Sequence, residues 1–218
     1  MKMMKIVDLT HTIAENMPVY PGTEGPKLTT ANTYETDGFK ETLLKMYSHT
    51  GTHMDPPAHL YSHGKTLDRF PASHFEGRAF TVDCTALCRG DRITMDMIDM
   101  QTASSADYLL FNTGWSKYWG KKEYFGKYPC VTGEVIDYIK ESGKKGIGLD
   151  TIGLDPIEDE NLTLHKRLFE NDNVVVIENL TNLKSITGIS CWFCCLPIKY
   201  ENSDGSPVRA IAAVDRGV

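Results

Sequence analysis

Sixteen residues, SHTGTHMDPPAHLYSH at positions 48–63, constrain this chain more than any other stretch. They contain four of its seven histidines, and two of these, His49 and His53, are four residues apart. That spacing is typical of a helical metal site, but Gly51 lies between the two histidines and a Pro-Pro pair follows directly after Asp55. A helix would turn Asp55 about 200° away from His53. Proline also disfavours a helical conformation at the residue before it.

An extended segment explains the same spacing better. Side chains alternate along a strand, so His49, His53 and Asp55 would all face one side. Gly51 shares that side and would leave it open between the two imidazoles. Two imidazoles and one carboxylate suit zinc, manganese or ferrous iron. We therefore predict a strand that binds a divalent metal; the alternative is a histidine-rich loop with ordinary hydrogen bonds.

The remaining histidines of the first half have other predicted roles. His59 follows the Pro-Pro turn, and it is either a further ligand or a general acid/base, because histidine titrates near neutral pH. His63 and His74 are less constrained by their surroundings in the sequence. We predict that both are surface groups or groups that support the site from outside.

The second half of the chain offers further ligand candidates. His165 lies on a predicted short helix, and Glu178 ends the apolar run VVVIE. A carboxylate at the end of a buried strand is costly unless it is paired, and a metal would compensate its charge. A salt bridge or exposure at the strand end is the alternative. His11, Asp155 and Glu158 are also candidates, and sequence spacing does not choose among them.

The pattern of apolar runs predicts an α/β fold. Short apolar runs bounded by Gly, Asn or Asp indicate buried strands in FTVDC, YLLFNTG, GIGLD and NVVVIENL. TGEVIDYIKESGKKG predicts a helix with Gly143 as its C-terminal cap, and LTLHKRLFEND predicts a second, shorter helix. The strand-rich first half adds a β layer. With 218 residues and 41% hydrophobic side chains, residues 1–218 suit a single domain.

Charge and composition exclude several functional classes. The net charge of −6 is modest and scattered, so no nucleic-acid partner is indicated and a small-molecule substrate fits better. No signal peptide and no apolar run of roughly 18 residues is present, which predicts a cytoplasmic protein without a membrane partner. Six cysteines in a chain of this length indicate reduced thiols. CWFCC, at 191–195, is interpreted as a buried strand rather than a redox or zinc motif.

The histidine-rich stretch resembles a known signature. SHTGTHMDPPAHL is similar to the pattern of the metal-dependent cyclase family, which includes bacterial-type kynurenine formamidases and isatin hydrolases. Further blocks follow in family order: DLTHTIAENMPVYPG, LLFNTGWSKYW, GIGLDTIGLD, LHKRLFENDNVVVIENL and LPIKYENSDGSPVRAIA. The resemblance implies a swivelling β/β/α cyclase-like fold, with mixed sheets and flanking helices. It also implies assembly as a homodimer or homotetramer.

The same resemblance implies roles for individual residues. The metal ligands of the formamidases match His49, His53, Asp55, His165 and Glu178. Asp55 and Glu178 would bridge two zinc ions, with His165 on the second ion, although some relatives carry a single manganese. The proton donor and acceptor of the family matches His59. The substrate-contacting tryptophan of the family is replaced by Tyr20 in PVYPG, which still can stack on an aromatic ring.

Together these features predict a metal-dependent hydrolase of a C–N amide bond. It would use metal-activated water and His59 as acid/base, and its expected substrate is an aryl formamide such as N-formylkynurenine, an intermediate of tryptophan catabolism. The exchange of tryptophan for Tyr20 weakens the case for that particular substrate. The closest alternative is a hydrolase of a cyclic amide, imide or lactone with the same site. An alternative from a different class is a non-catalytic metal-binding protein of the same fold.

Overall fold

The computed structural model describes residues 4–215. Twelve strands lie in this range: β1 (Met4–Asp8), β2 (Lys27–Asn32), β3 (Glu41–Lys45), β4 (His53–Asp55), β5 (Glu76–Asp83), β6 (Arg92–Ile93), β7 (Tyr108–Asn112), β8 (Cys130–Val131), β9 (Gly146–Leu149), β10 (Val175–Glu178), β11 (Ser190–Pro197) and β12 (Ser206–Asp215). The α-helices are α1 (Tyr34–Asp37), α2 (Met100–Ala103), α3 (Gly133–Glu141) and α4 (Thr163–Leu168). None of the helices in residues 4–215 combines the length and apolar character needed to span a bilayer.

Eight strands form one mixed sheet that curls into a barrel-like ring. Their order is β1-β12-β11-β5-β7-β9-β10-β4, and β4 also pairs with β12. Seven strands therefore close on themselves, with β1 attached to the far end of the long strand β12. The closure is short: Ser206 is opposite Met54, and Pro207 is opposite His53. The predicted α/β class with mixed sheets and flanking helices is confirmed.

The two faces of the ring bury two different cores, because successive side chains of a strand point to opposite sides. Within β7, Tyr108 and Leu110 belong to the core enclosed by the ring, together with Met54 and Phe193. Leu109 and Phe111 of the same strand instead belong to the core beneath α3 and α4. This alternation explains why the first four residues of YLLFN are all apolar. A strand covered on both faces has no position at which a polar side chain meets water.

The predicted helices lie where the sequence placed them. Helix α3 buries Val135, Ile136 and Ile139, and Gly143 follows its end with a left-handed φ of 71°. Helix α4 buries Leu168 and, on the same side, His165. CWFCC lies within β11, and all of its cysteines are free thiols. The predicted buried strand is only half buried, because side chains alternate along β11: Cys191, Phe193 and Cys195 are buried, whereas Trp192 is 40% exposed. The predicted buried strands are β5, β7, β9 and β10.

Candidate active site with a metal-binding donor set

The predicted strand through the first two histidines is only half correct. Strand β4 begins at His53, and His49 lies before it in a bend. Gly51 adopts a left-handed φ of 69°, a conformation that side chains other than glycine rarely take. Ile13 and Met17 pack within 3.5 Å of the position that a Cβ would occupy there. The chain therefore turns at Gly51 instead of remaining extended, and this turn, not strand alternation, returns His49 toward β4.

Asp55 is the residue on which the first two histidines converge. His49 places Nδ1 2.6 Å from Oδ1 of Asp55. His53 places Nε2 3.3 Å from the same oxygen. Both Asp55 and His53 are buried, with 1% and 4% of their surface exposed. The turn and the first residues of β4 thus gather the three predicted ligands around one carboxylate.

The second half of the chain reaches the same point through β10 and α4. Strand β10 runs antiparallel to β4 with Glu178 opposite His53, so Oε2 of Glu178 lies 3.5 Å from Nε2 of His53. His165, on α4, places Nε2 3.3 Å from Oε1 of Glu178 and 3.6 Å from Oδ2 of Asp55. Glu178 and His165 are also buried. Residues more than 100 positions apart in sequence therefore face one another.

Two sets of three potential metal donors result, and Asp55 belongs to both. In each set the donor atoms all lie within 4.8 Å of one another; the sets are His49, His53 and Asp55, and Asp55, His165 and Glu178. Imidazole nitrogens and carboxylate oxygens are the donors that zinc and other divalent transition ions take. A shared carboxylate between two sets is suited to bridge two ions.

The surroundings of these donors also fit a bound cation. Burial of two carboxylates is costly unless positive charge compensates them. The ion pairs that the structure records for Asp55 and Glu178 are with histidines. In addition, Nε2 of His49 and Nε2 of His165 are buried without a hydrogen-bond partner within residues 4–215. A divalent metal ion would compensate the buried carboxylates and engage the two nitrogen atoms that lack a hydrogen bond, so the residues present fit such an ion.

The close contacts between histidines and carboxylates also shift the pKa values of the donors. Burial lowers the pKa of His165, but contacts with three carboxylates outweigh it and raise that pKa well above 6.5. Burial raises the pKa of Asp55, whereas the charges of His53 and His49 hold it well below 3.8. Both shifts reflect a buried anionic site that favours positive charge near its carboxylates.

His59 lies beside the donors and outside the two sets that share Asp55. It ends a short 3₁₀ turn, Pro57–His59, and its ring centre is 4.0 Å from that of His49 and 6.2 Å from that of His165. Burial is the main cause that lowers its pKa from 6.5 to about 4. His59 also forms a third potential donor set with His49 and Asp204, whose carboxylate is exposed.

A cavity of about 830 Å³ opens over the donors. Tyr20 and Tyr47 of the first half of the chain line it, and so do Ile152 and Leu162 of the second half. Tyr20 is 42% exposed, and burial together with nearby carboxylates raises its pKa, so its phenol is neutral at pH 7. The predicted substrate-contacting residue and the predicted acid/base therefore share one cavity with the donors.

The other candidate ligands lie outside the donor sets. His11 stacks on Trp119, with ring centres 3.9 Å apart. Glu158 lines a separate, smaller cavity. His63 is exposed, and His74 packs against the ring of Phe70 at 4.5 Å. The prediction that His63 and His74 are not ligands agrees with these positions.

Two further residues take part in the site, and the sequence alone did not single them out. Asn179 donates from Nδ2 to the carbonyl oxygen of Gly51 at 2.9 Å and accepts from the Tyr124 hydroxyl at 2.7 Å. The same carbonyl lies 2.9 Å from Nδ1 of His53. Asp204 places Oδ2 3.6 Å from Nε2 of His49. For Asn179 the only sequence signal is its position directly after Glu178.

This chain is similar to a known protein family and to individual proteins over nearly its full length. A family model, "Cyclase: Putative cyclase", matches residues 7–156. "Uncharacterized protein MJ0783" of Methanocaldococcus jannaschii is 37% identical over 210 residues, covering 96% of this chain and 99% of the relative. A kynurenine formamidase of Bacillus cereus is 27% identical over 219 residues, covering 97% of this chain and 98% of the relative.

Solved structures agree over nearly the whole chain. Isatin hydrolase A from Labrenzia aggregata, bound to benzyl benzoate, superposes with a TM-score of 0.84 at 26% identity, covering 98% of this chain and 94% of that one. A structure described as a "Potential Metal-Dependent Hydrolase With Cyclase Activity" superposes with a TM-score of 0.80 at 30% identity, covering 98% of this chain and 99% of that one.

Proposed function

The chain belongs to the Cyclase family and is an amidohydrolase, and from that premise we propose that it hydrolyses the C–N bond of an aryl formamide with the help of a divalent metal ion. N-formylkynurenine is the proposed substrate, because the curated relatives across nearly the full length of the chain include kynurenine formamidases. The non-catalytic alternative is set aside, because the reported relatives with a named activity are hydrolases.

One observation carries the proposal: two donor sets that share Asp55 lie at the base of the cavity that Tyr20 and His59 line. His49, His53 and Asp55 would hold one ion, and His165 and Glu178 would hold a second one together with Asp55. When bound, such an ion lowers the pKa of a water molecule from about 15.7 toward 7 and polarises a carbonyl group. We propose zinc, with manganese as the alternative, because the donors are imidazoles and carboxylates.

The chain's own residues supply the proton transfers. With a pKa of about 4, the imidazole of His59 is neutral at pH 7 and can accept a proton from the attacking water. The same imidazole can then donate that proton to the leaving nitrogen of the amide. Tyr20, at the cavity wall, would stack on the aromatic ring of the substrate and orient its formyl group toward His59.

A cyclic amide is the second candidate substrate. The support is the 26% identity and the TM-score of 0.84 to isatin hydrolase A of Labrenzia aggregata. Imides and lactones also carry an acyl carbonyl that water can attack, and they belong to this alternative. Tyr20 stands in place of the tryptophan of the formamidases. This change also supports the alternative, because it alters the surface that would contact the aromatic ring of the substrate.

A substrate panel tests the proposal. Purified protein supplemented with Zn²⁺ or Mn²⁺ is assayed against N-formylkynurenine, isatin and simple aryl formamides, with elemental analysis of the same sample. We expect metal in the protein and the highest kcat/KM for N-formylkynurenine. Preference for isatin would establish the second candidate, and hydrolysis of none of them by metal-containing protein would refute the formamidase assignment.

Assembly and location belong to the same proposal. We propose a cytoplasmic homodimer or homotetramer without nucleic-acid or membrane partners. Exposed apolar side chains of the β2–β3 hairpin, Leu43 at 62% and Leu44 at 53%, support self-association. Sedimentation velocity of the purified protein measures the number of subunits directly.

A further inference from the structure

Asp155 is a buried carboxylate whose two oxygens are both engaged beside the donor sets. Oδ1 accepts a hydrogen bond from the backbone N–H of Leu164 at 2.5 Å. Oδ2 accepts from the backbone N–H of His165 at 3.1 Å and lies 2.6 Å from Nδ1 of the same residue. Only 3% of Asp155 is exposed. Its oxygens therefore face the start of α4 and not the other donors.

This arrangement decides which nitrogen of His165 is free. A carboxylate at 2.6 Å from Nδ1 favours the proton on that atom. When the ring is neutral, Nε2 carries the lone pair, and it is the buried nitrogen without a hydrogen-bond partner that points to Glu178 at 3.3 Å and Asp55 at 3.6 Å. Histidines that bind metal commonly donate their other ring N–H to a carboxylate in this way.

The local backbone makes Asp155 the anchor of the helix as well. Leu162 precedes α4 with a left-handed φ of 51° and offers no side-chain hydrogen bond to the helix. The first backbone N–H groups of a helix lack intrahelical partners. Asp155 accepts from two of them, at Leu164 and His165. One carboxylate thus fixes both the place of His165 and the orientation of its ring.

We propose that Asp155 is a positioning residue that holds His165 as the Nδ1–H tautomer with Nε2 directed at Asp55 and Glu178, and that it thereby raises the affinity of this donor set for a divalent ion. The inference rests on the proposed function only in that the set binds such an ion. Asp155 lines the cavity but belongs to neither donor set that shares Asp55, and its contact with the site is through His165. The other donor set, with His49 and His53, does not depend on it.

The test compares wild-type protein with Asp155→Asn, whose side chain has nearly the same shape and retains one acceptor oxygen. Ring ¹⁵N NMR of metal-free protein, recorded at a pH above the pKa of His165 so that its ring is neutral, reports the tautomer, and titration with Co²⁺ alone reports metal affinity. We expect a single Nδ1–H tautomer in the wild type and a mixture in Asp155→Asn. In Asp155→Asn we also expect the Co²⁺ affinity of the donor set with His165 and Glu178 to fall roughly 10–100-fold. The Co²⁺ affinity of the set with His49 and His53 should be retained.

Asp159→Asn is the matched control. Asp159 accepts from the backbone N–H groups of Thr163 at 3.2 Å and Asn161 at 3.0 Å, so it supports the start of α4 without touching His165. We expect this variant to keep the tautomer and the Co²⁺ affinities of the wild type. Wild-type behaviour of Asp155→Asn, or an equal loss in Asp159→Asn, would overturn the proposal. Because neither readout uses a substrate, failure to hydrolyse formamides would refute the proposed function alone.

Discussion

Among single side chains, His59 is the one whose proposed role is easiest to separate from metal binding. It lies outside both donor sets that share Asp55, yet its ring touches that of His49. His59→Ala should lower kcat roughly 10²–10⁴-fold, because a positioned acid/base contributes about that much, while the metal content stays unchanged. Steady-state kinetics and elemental analysis of the same sample measure both quantities.

His63→Ala is the control for that variant, since His63 comes from the same stretch and is exposed. It should retain both turnover and metal. If His59→Ala instead lost metal in proportion to activity, His59 would be a ligand in the third donor set, with His49 and Asp204.

His74 gives a pH dependence that is independent of the site. Burial lowers its pKa from 6.5 to about 4 in the folded protein. Above pH 6.5 the imidazole is neutral in both states, so its contribution to stability is fully present there. Between pH 6.5 and 4 the unfolded chain binds the proton more readily than the folded protein does, so the free energy of unfolding decreases as the pH falls through this range. Urea unfolding at several pH values should show a smaller decrease for His74→Gln.

Other histidines also contribute to the pH dependence of unfolding in the same pH range. Burial also lowers the pKa of His11 and His59 to about 4, so both contribute to the wild-type slope and remain in the variant. An unchanged slope in His74→Gln would show that His74 is protonated equally well in the folded and the unfolded protein.

The sequence predicted the identity of the side chains in the site more accurately than the hydrogen bonds that position them. His49, His53, Asp55, His165 and Glu178 come together as expected, because their chemistry and the family resemblance pointed to them. Asp155 was only one of several candidate ligands, since the hydrogen bonds that occupy its oxygens come from residues about ten positions later. Such contacts depend on how the chain folds back, and no local pattern encodes them.

Among the elements, the segment before β4 differs most from its prediction. Period-two spacing predicted a strand from His49 to Asp55, whereas the chain turns at Gly51, which has a left-handed φ, and the strand begins only at His53. Glycine permits both conformations, so the sequence did not decide between them. The packing of Ile13 and Met17 beside Gly51, which no short window of sequence contains, accompanies the turn.

The segment that leads into β12 tests this local packing. A methyl group on Gly205 would lie 2.5 to 2.9 Å from three ring atoms of His49, closer than any stable contact. Gly205→Ala should therefore displace His49 and weaken binding of the first metal equivalent by at least about tenfold. Titration of metal-free protein with Zn²⁺, followed by calorimetry, measures the change.

Gly90→Ala is the control for the glycine substitution. Gly90 has a left-handed φ of 81° and open space where a Cβ would lie, so alanine costs about 1 kcal/mol of backbone strain at a residue that does not line the donor cavity. This variant should lose stability but bind Zn²⁺ normally. Equal weakening in both variants would mean that general destabilisation, and not contact with His49, explains the effect.

For the whole molecule, ring closure is the feature that the sequence did not reveal. Local patterns predicted the strands β5, β7, β9 and β10 and the helices that alternate with them. Each of these elements has a hydrophobic pattern within a few consecutive residues. The pairing of β4 with both β10 and β12 joins segments more than 100 residues apart. That closure brings His53 beside Glu178, so the site exists only when the ring is complete.

The central claim is that this assembled donor set binds a metal ion that the hydrolysis of an aryl formamide requires. The most direct measurement is formate release from N-formylkynurenine by chelator-treated protein to which Zn²⁺ is returned in known equivalents, with Asp55→Asn measured alongside. We predict a rate that rises with bound metal, saturates when the donor sets are filled and is absent in Asp55→Asn. A rate that is the same with and without metal, or fully metal-loaded protein that releases no formate, would contradict the account.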